Sequence, residues 1–302
     1  MSPDRVPVTV EGRRLDLSNL AKPMYPQVGF TKRDVLDYYA RIAPTMLPHL
    51  AGRPVTLRRF PGGSGEGSFF QKRVPPHAPD WVTTTRVPLH GHPSGEDHLE
   101  AVVVADTPTL IWAANLAALE FHVTLWRAPQ AGPPPGPPDY LVFDLDPGAG
   151  TSIVECCRVA GWIAEALAAR GDARPGAKTS GSKGLQLYWP VAPGTDWDTA
   201  RADAHALARQ VEDAHREAVV TNMRKRLREG RVLIDWSQNH PAKTTIAVYS
   251  LRARTRPTVS TPVTWDEVEA CLARHDPAVL HFEAGDVLER IGSRGDLFAA
   301  LR

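Results

Sequence analysis

Residues 139–148, DYLVFDLDPG, run from Tyr140 to Phe143 through four strand-forming side chains and then place Asp144, Leu145 and Asp146 before the breaker pair Pro147-Gly148. A run of that kind is a short, largely buried β-strand closed by a turn. Side chains alternate across a strand, so Val142, Asp144 and Asp146 share one face while Leu141, Phe143 and Leu145 take the other. Carboxylates two residues apart stand roughly 6.6 Å from each other along a strand, close enough to share or flank divalent cations. The simpler alternative is that Asp146 caps the Pro-Gly turn and Asp144 is exposed.

A second acid in the same setting favours the cation reading. In RVLIDWSQN, Asp235 follows Val232, Leu233 and Ile234 at the end of another apolar run. Three carboxylates at neighbouring strand ends make an oxygen cage for two Mg²⁺ or Mn²⁺ ions, which align an attacking oxygen with a leaving phosphate. Phosphoryl or nucleotidyl transfer is the class of chemistry this implies. Between the acids lies KTSGSKGLQLYWP (178–190), where Gly181 and Gly184 allow close backbone approach and Ser180, Ser182 and Lys183 offer donors. Such a loop can wrap a triphosphate, although it is not a Walker A sequence and a plain glycine turn is the alternative.

The N-terminal part offers contacts of another kind. Asn19, Lys22 and Lys32 fall in or beside turns, suited to holding an isolated phosphate, and Phe69-Phe70 precede Lys72, an arrangement that can stack bases and neutralise a nucleic-acid backbone. Burial in a core is the commoner fate of a Phe-Phe pair. The run RKRLREGR (224–231) could track phosphates, but such runs are usually solvated helix faces. His90, His92 and His98 in HGHPSGEDH lie among turn formers and read as a hairpin loop rather than a zinc site. His122, placed at a predicted helix end, is equally consistent with a core histidine.

With 302 residues and 42% hydrophobic content the chain can bury a full core. Thirty-five basic residues against thirty-four acidic ones leave a formal charge of +1, so net charge does not argue for nucleic acid. Cys156, Cys157 and Cys271 make neither a CxxC pair nor an even disulfide framework, and there is no signal peptide or membrane-length apolar run; the expected location is the cytoplasm. Prolines at 128–139 form a stiff connector, dividing the chain into an N-terminal lobe, 1–127, and a catalytic lobe, 128–302, expected to form one compact domain. The predicted elements are a strand pair over 7–17, a helix from Thr31 to Leu50 kinked or shortened by Pro44 and Pro48, the strand RPVTLRRF, and a helix capped by Thr107 that ends near His122. After the connector come strands 140–146, 183–190, 231–236 and 244–250 and helices 151–170, 196–217 and 264–273. The fold class is α+β, with the site at strand ends.

In this order NLAKPMYP, TKRDVLDYYARIAP, FFQKRVP, WAANLAALEFH, VFDLDP, TSGSKGLQLY, IDWSQN and KTTIAVYSLRAR resemble the polymerase domain of bacterial ATP-dependent DNA ligase D, a branch of the archaeo-eukaryotic primase superfamily. The resemblance implies a primase-polymerase fold with an RRM-like catalytic sheet and an added N-terminal lobe. It implies gap-filling addition of NTPs or dNTPs to a DNA 3′ end in non-homologous end joining, beside Ku and an ATP-dependent ligase, at the nucleoid. By resemblance, Asp144, Asp146 and Asp235 bind two Mn²⁺ or Mg²⁺ ions. Phe70, His122, Ser180, Lys183, Gln186, Gln238 and Arg252 contact the incoming nucleotide. Asn19, Lys22 and Lys32 hold a 5′-phosphate, and Phe69 and Lys72 contact template DNA.

One position departs: the family's glycine loop ends in histidine where this chain has Gln186, an amide that donates without charge. Two other classes stay open: a DNA-end-binding module in which Gln186 marks an altered triphosphate site, and a two-metal nuclease, which shares the acids. The absence of ligase or nuclease motifs after DLFAALR fits either a stand-alone polymerase or one domain of a longer chain.

Overall fold

The computed structural model describes residues 5–89, 96–129, 134–171 and 174–301. His90, His92 and part of the proline connector lie outside them. In chain order the first half contains β1 (Arg5–Val10), β2 (Arg13–Ser18), β3 (Pro23–Tyr25), β4 (Phe30–Thr31), α1 (Lys32–Leu50), β5 (Pro54–Arg59), β6 (Phe69–Gln71), β7 (Thr84–Pro88), β8 (His98–Val103), α2 (Thr107–Asn115) and β9 (Ala118–Thr124). There follow β10 (Tyr140–Pro147), α3 (Ile153–Ala168), β11 (Gly176–Thr179), β12 (Leu185–Pro190), α4 (Trp197–Ala214), β13 (Val219–Val220), β14 (Val232–Asp235), β15 (Thr244–Ile246), β16 (Pro262–Val263), α5 (Trp265–Arg274) and α6 (Ala284–Arg294). The fold is mixed α/β.

The chain packs as two units that exchange segments. One comprises 1–136, 244–259 and 283–295, the other 137–243, 260–282 and 296–302. The expected lobes, 1–127 and 128–302, are continuous stretches, whereas packing returns two later segments to the first unit.

In the first unit, β15-β9-β5-β8-β7 form a mainly antiparallel sheet with β6 added to β5. Helix α1 opens with a Thr31–Asp34 capping box and runs on through Pro44 and Pro48 to Leu50, contrary to the expected shortening. Its buried face, including Tyr38, Tyr39, Ile42 and Met46, outweighs the backbone hydrogen bonds that the prolines remove. Tyr39 and Tyr38 also donate to the carbonyls of Leu119 and Tyr249, at 2.7 and 2.8 Å. Helix α2 is shorter than predicted. Asp106, not Thr107, caps it, and it stops at Asn115 because Ala117 takes a left-handed φ of 63°. The following residues become β9, almost wholly buried, and a buried apolar run carries no period to separate strand from helix. His122 is therefore a strand residue.

In the second unit the sheet order is β13-β14-β10-β12-β11-β16, with β10 central. Leu141, Phe143 and Leu145 enter one core with Val159, Ile163 and Leu167 of α3 and Leu207, Ala208 and Val211 of α4. Those helices cover one sheet face, which leaves Asp144 and Asp146 on the opposite face, as the alternation requires. Both helices start at side-chain caps, Ser152 with Glu155 in a capping box and Asp196 accepting from Thr199.

Candidate functional site

Strand register in the second unit places Asp144 between Asp235 of β14 and Gln186 of β12, and Gln186 opposite Lys178 of β11. A row of four side chains thus crosses four strands: carboxylate, carboxylate, amide, ammonium. Asp146 follows Asp144 on the same face and is exposed, whereas Asp144 is half-buried. Burial foremost, then the charges of Asp146 and Asp235, push the Asp144 carboxyl up to about 7 against the lowering effects of a Gln186 hydrogen bond and the Lys178 charge. Lys178 is fully buried and donates to Gln186 Oε1 and, at 2.7 Å, to Ser260 Oγ. With its oxygen turned to Lys178, the Gln186 amide presents its NH₂ to Asp144. The amide thus passes the influence of a buried cation to the carboxylate pair. Nothing in the sequence reading singled out Lys178; its signal was one cation in a short strand of otherwise small residues.

Asp235 is held by the turn that it starts. Its Oδ1 accepts from Ser237 N and Oγ at 2.9 and 2.6 Å, and its Oδ2 accepts from Gln238 Nε2 at 3.0 Å. Lys243 donates to Ser237 Oγ in turn. Asn239 clamps this turn to β10 by accepting from Val142 N and donating to Val142 O, both at 2.8 Å. Among the described residues no three His, Cys, Asp or Glu side chains already converge as a metal cage. The donor set nevertheless fits hard divalent cations: the oxygens belong to carboxylates, each has lone pairs beyond those now used, and their crowding adds to burial in raising Asp144.

The glycine loop is pressed against the acidic strand. A Cβ on Gly184 would lie 2.1 Å from the Leu145 carbonyl oxygen, between the two acids, so only glycine fits. Ser180 Oγ accepts from the backbone N–H of Ser182 and Gly184 at 3.2 and 3.1 Å, which makes it the loop's internal brace. Lys183 is exposed.

The first unit gathers a second group. Phe69 and Phe70 are exposed, 46% and 55%, and not in the core. Arg59 and Arg58 lie over their rings at 5.2 Å, and the two phenylalanines line a hollow of about 430 Å³ together with Lys72 and Arg73. Phe70 meets His122 edge-on at 5.5 Å, and His122 shares the Glu120 carboxylate with Arg252. Asn19, Lys22 and Lys32 are also brought together: Lys22 N donates to Asn19 O at 3.0 Å and Lys32 N to Lys22 O at 2.8 Å. Lys32 is buried, and burial, then the charges of Lys22 and Arg59, bring it down to about 8. Crowded ammonium and guanidinium groups of that kind favour a bound anion. Lys22 also donates to the Pro61 carbonyl. The basic run 224–231 forms no α-helix; Lys225–Leu227 is a single 3₁₀ turn with its cations largely exposed.

A mixed α/β fold with hard carboxylate oxygens beside a glycine-closed loop is a frame suited to cations and phosphates. The family model for the LigD primase-polymerase domain matches residues 31–298. The chain is 42% identical to the multifunctional non-homologous end joining protein LigD of Mycolicibacterium smegmatis over 95% of its own length and 36% of that protein's. It is 31% identical to the bifunctional LigD of Bacillus subtilis over 93% of its length and 43% of that protein's. The polymerase domain of Mycobacterium tuberculosis Ligase D, solved in complex with DNA, superposes with a TM-score of 0.87 at 41% identity, covering 95% of this chain and 98% of that one. The chain belongs to the LigD primase-polymerase domain family, and it spans a little over a third of the length of its mycobacterial relatives.

Proposed function

We propose that this chain extends DNA 3′ ends by metal-dependent nucleotidyl transfer, filling gaps during non-homologous end joining. The observation that carries the reading is the row Asp235–Asp144–Gln186–Lys178, with Asp146 on the same face and the Ser180–Gly184 loop packed against the strand between the two acids. Asp144, Asp146 and Asp235 would hold two Mn²⁺ or Mg²⁺ ions. When bound, such ions lower the pKa of an attacking hydroxyl and offset charge on a leaving phosphate. The primer 3′-oxygen attacks the α-phosphate and pyrophosphate leaves. Lys183 and the Ser180 loop present donors to the triphosphate, Gln186 steadies Asp144, and Gln238 holds Asp235 beside the nucleotide.

In the first unit, His122 and Arg252 are the nucleotide contacts of this reading, and Phe70 offers a ring for a base to stack on. Asn19, Lys22 and Lys32 receive the 5′-phosphate on the far side of a gap, while Phe69 and Lys72 meet the template. DNA ends are the macromolecular substrate. Ku and an ATP-dependent ligase are the partners that the family context supports, and among the described residues no helix is long and apolar enough to cross a membrane.

The test is primer extension on a gapped duplex with a 5′-phosphorylated downstream strand, supplied with NTPs or dNTPs and Mn²⁺ or Mg²⁺. Incorporation supports the reading. End binding without incorporation in any metal would instead define an end-binding module, and release of short labelled products would define a nuclease.

A further inference from the structure

Among the described residues Glu120 is the most buried acid in the first unit, 1% exposed, on β9, an interior strand of its sheet. A carboxylate removed from water survives only with charged or hydrogen-bonding partners, and several surround it. His122, two residues along and on the same strand face, has Nε2 at 3.0 Å from Oε2. Arg58, its register partner on β5, donates Nη1 to Oε2 at 3.3 Å. Arg252 places Nε 3.2 Å from Oε1, and the backbone N–H of Ala253 donates to Oε1 at 3.1 Å. Arg58 in turn covers the rings of Phe60 and Phe70 at 5.0 and 5.2 Å. One carboxylate therefore joins β9, β5 and the segment after β15.

Two of the groups tied to Glu120, His122 and Arg252, are those that the proposed function turns toward the nucleotide, yet Glu120 itself is too buried to touch a ligand. We infer that Glu120 is the positioning residue of the nucleotide-facing cluster, fixing the imidazole of His122 through Nε2 and the guanidinium groups of Arg252 and Arg58, and so setting nucleotide affinity without contacting substrate. The inference rests on the polymerase reading. Burial alone would raise the Glu120 carboxyl, but the hydrogen bond from His122 and the Arg252 charge outweigh it and bring it to about 2, so it stays an acceptor at all working pH values. His122 is itself lowered, chiefly by burial, which keeps the ring neutral and commits its one proton to Nε2. Nδ1 is then the ring nitrogen left to a ligand.

Glu120→Gln keeps the volume but replaces an acceptor-only group with an amide whose NH₂ faces donors. The protein is assayed by steady-state extension of a gapped duplex with varied ATP and Mn²⁺, together with duplex-end binding and thermal unfolding. The inference predicts that Glu120→Gln raises KM for ATP about tenfold or more, with kcat falling less and end binding within about twofold of wild type. Glu120→Asp, which keeps the charge, recovers part of the lost KM. An unchanged KM with lower kcat and a lower melting temperature would make Glu120 a purely structural residue and overturn the inference, as would a Glu120→Asp variant no better than Glu120→Gln. A wild-type protein that binds ends but neither binds nor incorporates ATP would instead overturn the polymerase reading.

Discussion

At the scale of single residues, two unusual ionisations follow from placement and can be measured. Asp144 is raised to about 7 by burial and by the neighbouring Asp146 and Asp235 charges. Its folded pKa lies above the unfolded value, so the folded state holds the proton more tightly. The stability this confers is complete below the unfolded pKa and is lost as pH rises through about 7. Asp144→Asn should therefore stabilise the metal-free protein above pH 7 by about 1–3 kcal/mol in denaturant unfolding while abolishing extension. A variant less stable than wild type at that pH would show that the carboxylates do not repel. Lys32 is lowered to about 8, and its proposed role on a 5′-phosphate requires the charged form. Preference for 5′-phosphorylated over 5′-hydroxyl ends should be full near pH 7 and decline as pH passes 8, read by fluorescence anisotropy. A preference constant to about pH 9.5 would separate Lys32 from the phosphate. The acids and the lysine were legible as residue types in turns and strand ends. Glu120, Lys178 and Asn239 were not, because each acts on a partner brought to it by strand pairing or by a turn between distant segments.

Elements were legible where caps and alternation agree. Thr31, Asp196 and Thr264 mark the starts of α1, α4 and α5, and the polar-apolar switch in β10 was readable residue by residue. The reading failed where burial erases periodicity, as in β9, and at short elements such as β11, whose four residues form a strand only by pairing with β12 and β16. Helix α6 was also missed, although it opens with a reciprocal Glu283–Asp286 capping box. The pairing of β11 with β12 makes a prediction of its own. Gln186 bridges Lys178 and Asp144 at a buried position, so Gln186→Leu removes an acceptor from one charge and a donor from the other. The expected loss is about 2–4 kcal/mol in denaturant unfolding. Gln186→His can accept with one ring nitrogen and donate with the other, so it should lose much less. Equal stability of Gln186→Leu and wild type would show that the bridge contributes nothing to the fold.

At the scale of the whole molecule, the chain is assembled from two units that exchange segments, and the family match runs through both. No composition-based boundary reveals that exchange, since β15 belongs with β9 only through pairing made long after β9 in sequence. Each unit carries its own share of the proposed chemistry: carboxylates and a glycine loop in one, exposed phenylalanines, the Glu120 cluster and the adjacent Lys22 and Lys32 in the other. If the carboxylate row drives nucleotide addition, its loss must show in extension of a labelled primer on a gapped, 5′-phosphorylated duplex, comparing wild type with Asp144→Ala and Asp235→Ala at matched end binding. Wild type should extend the primer in Mn²⁺ or Mg²⁺ and each variant should lose about a hundredfold or more; extension by either variant at the wild-type rate would remove the carboxylates from the chemistry.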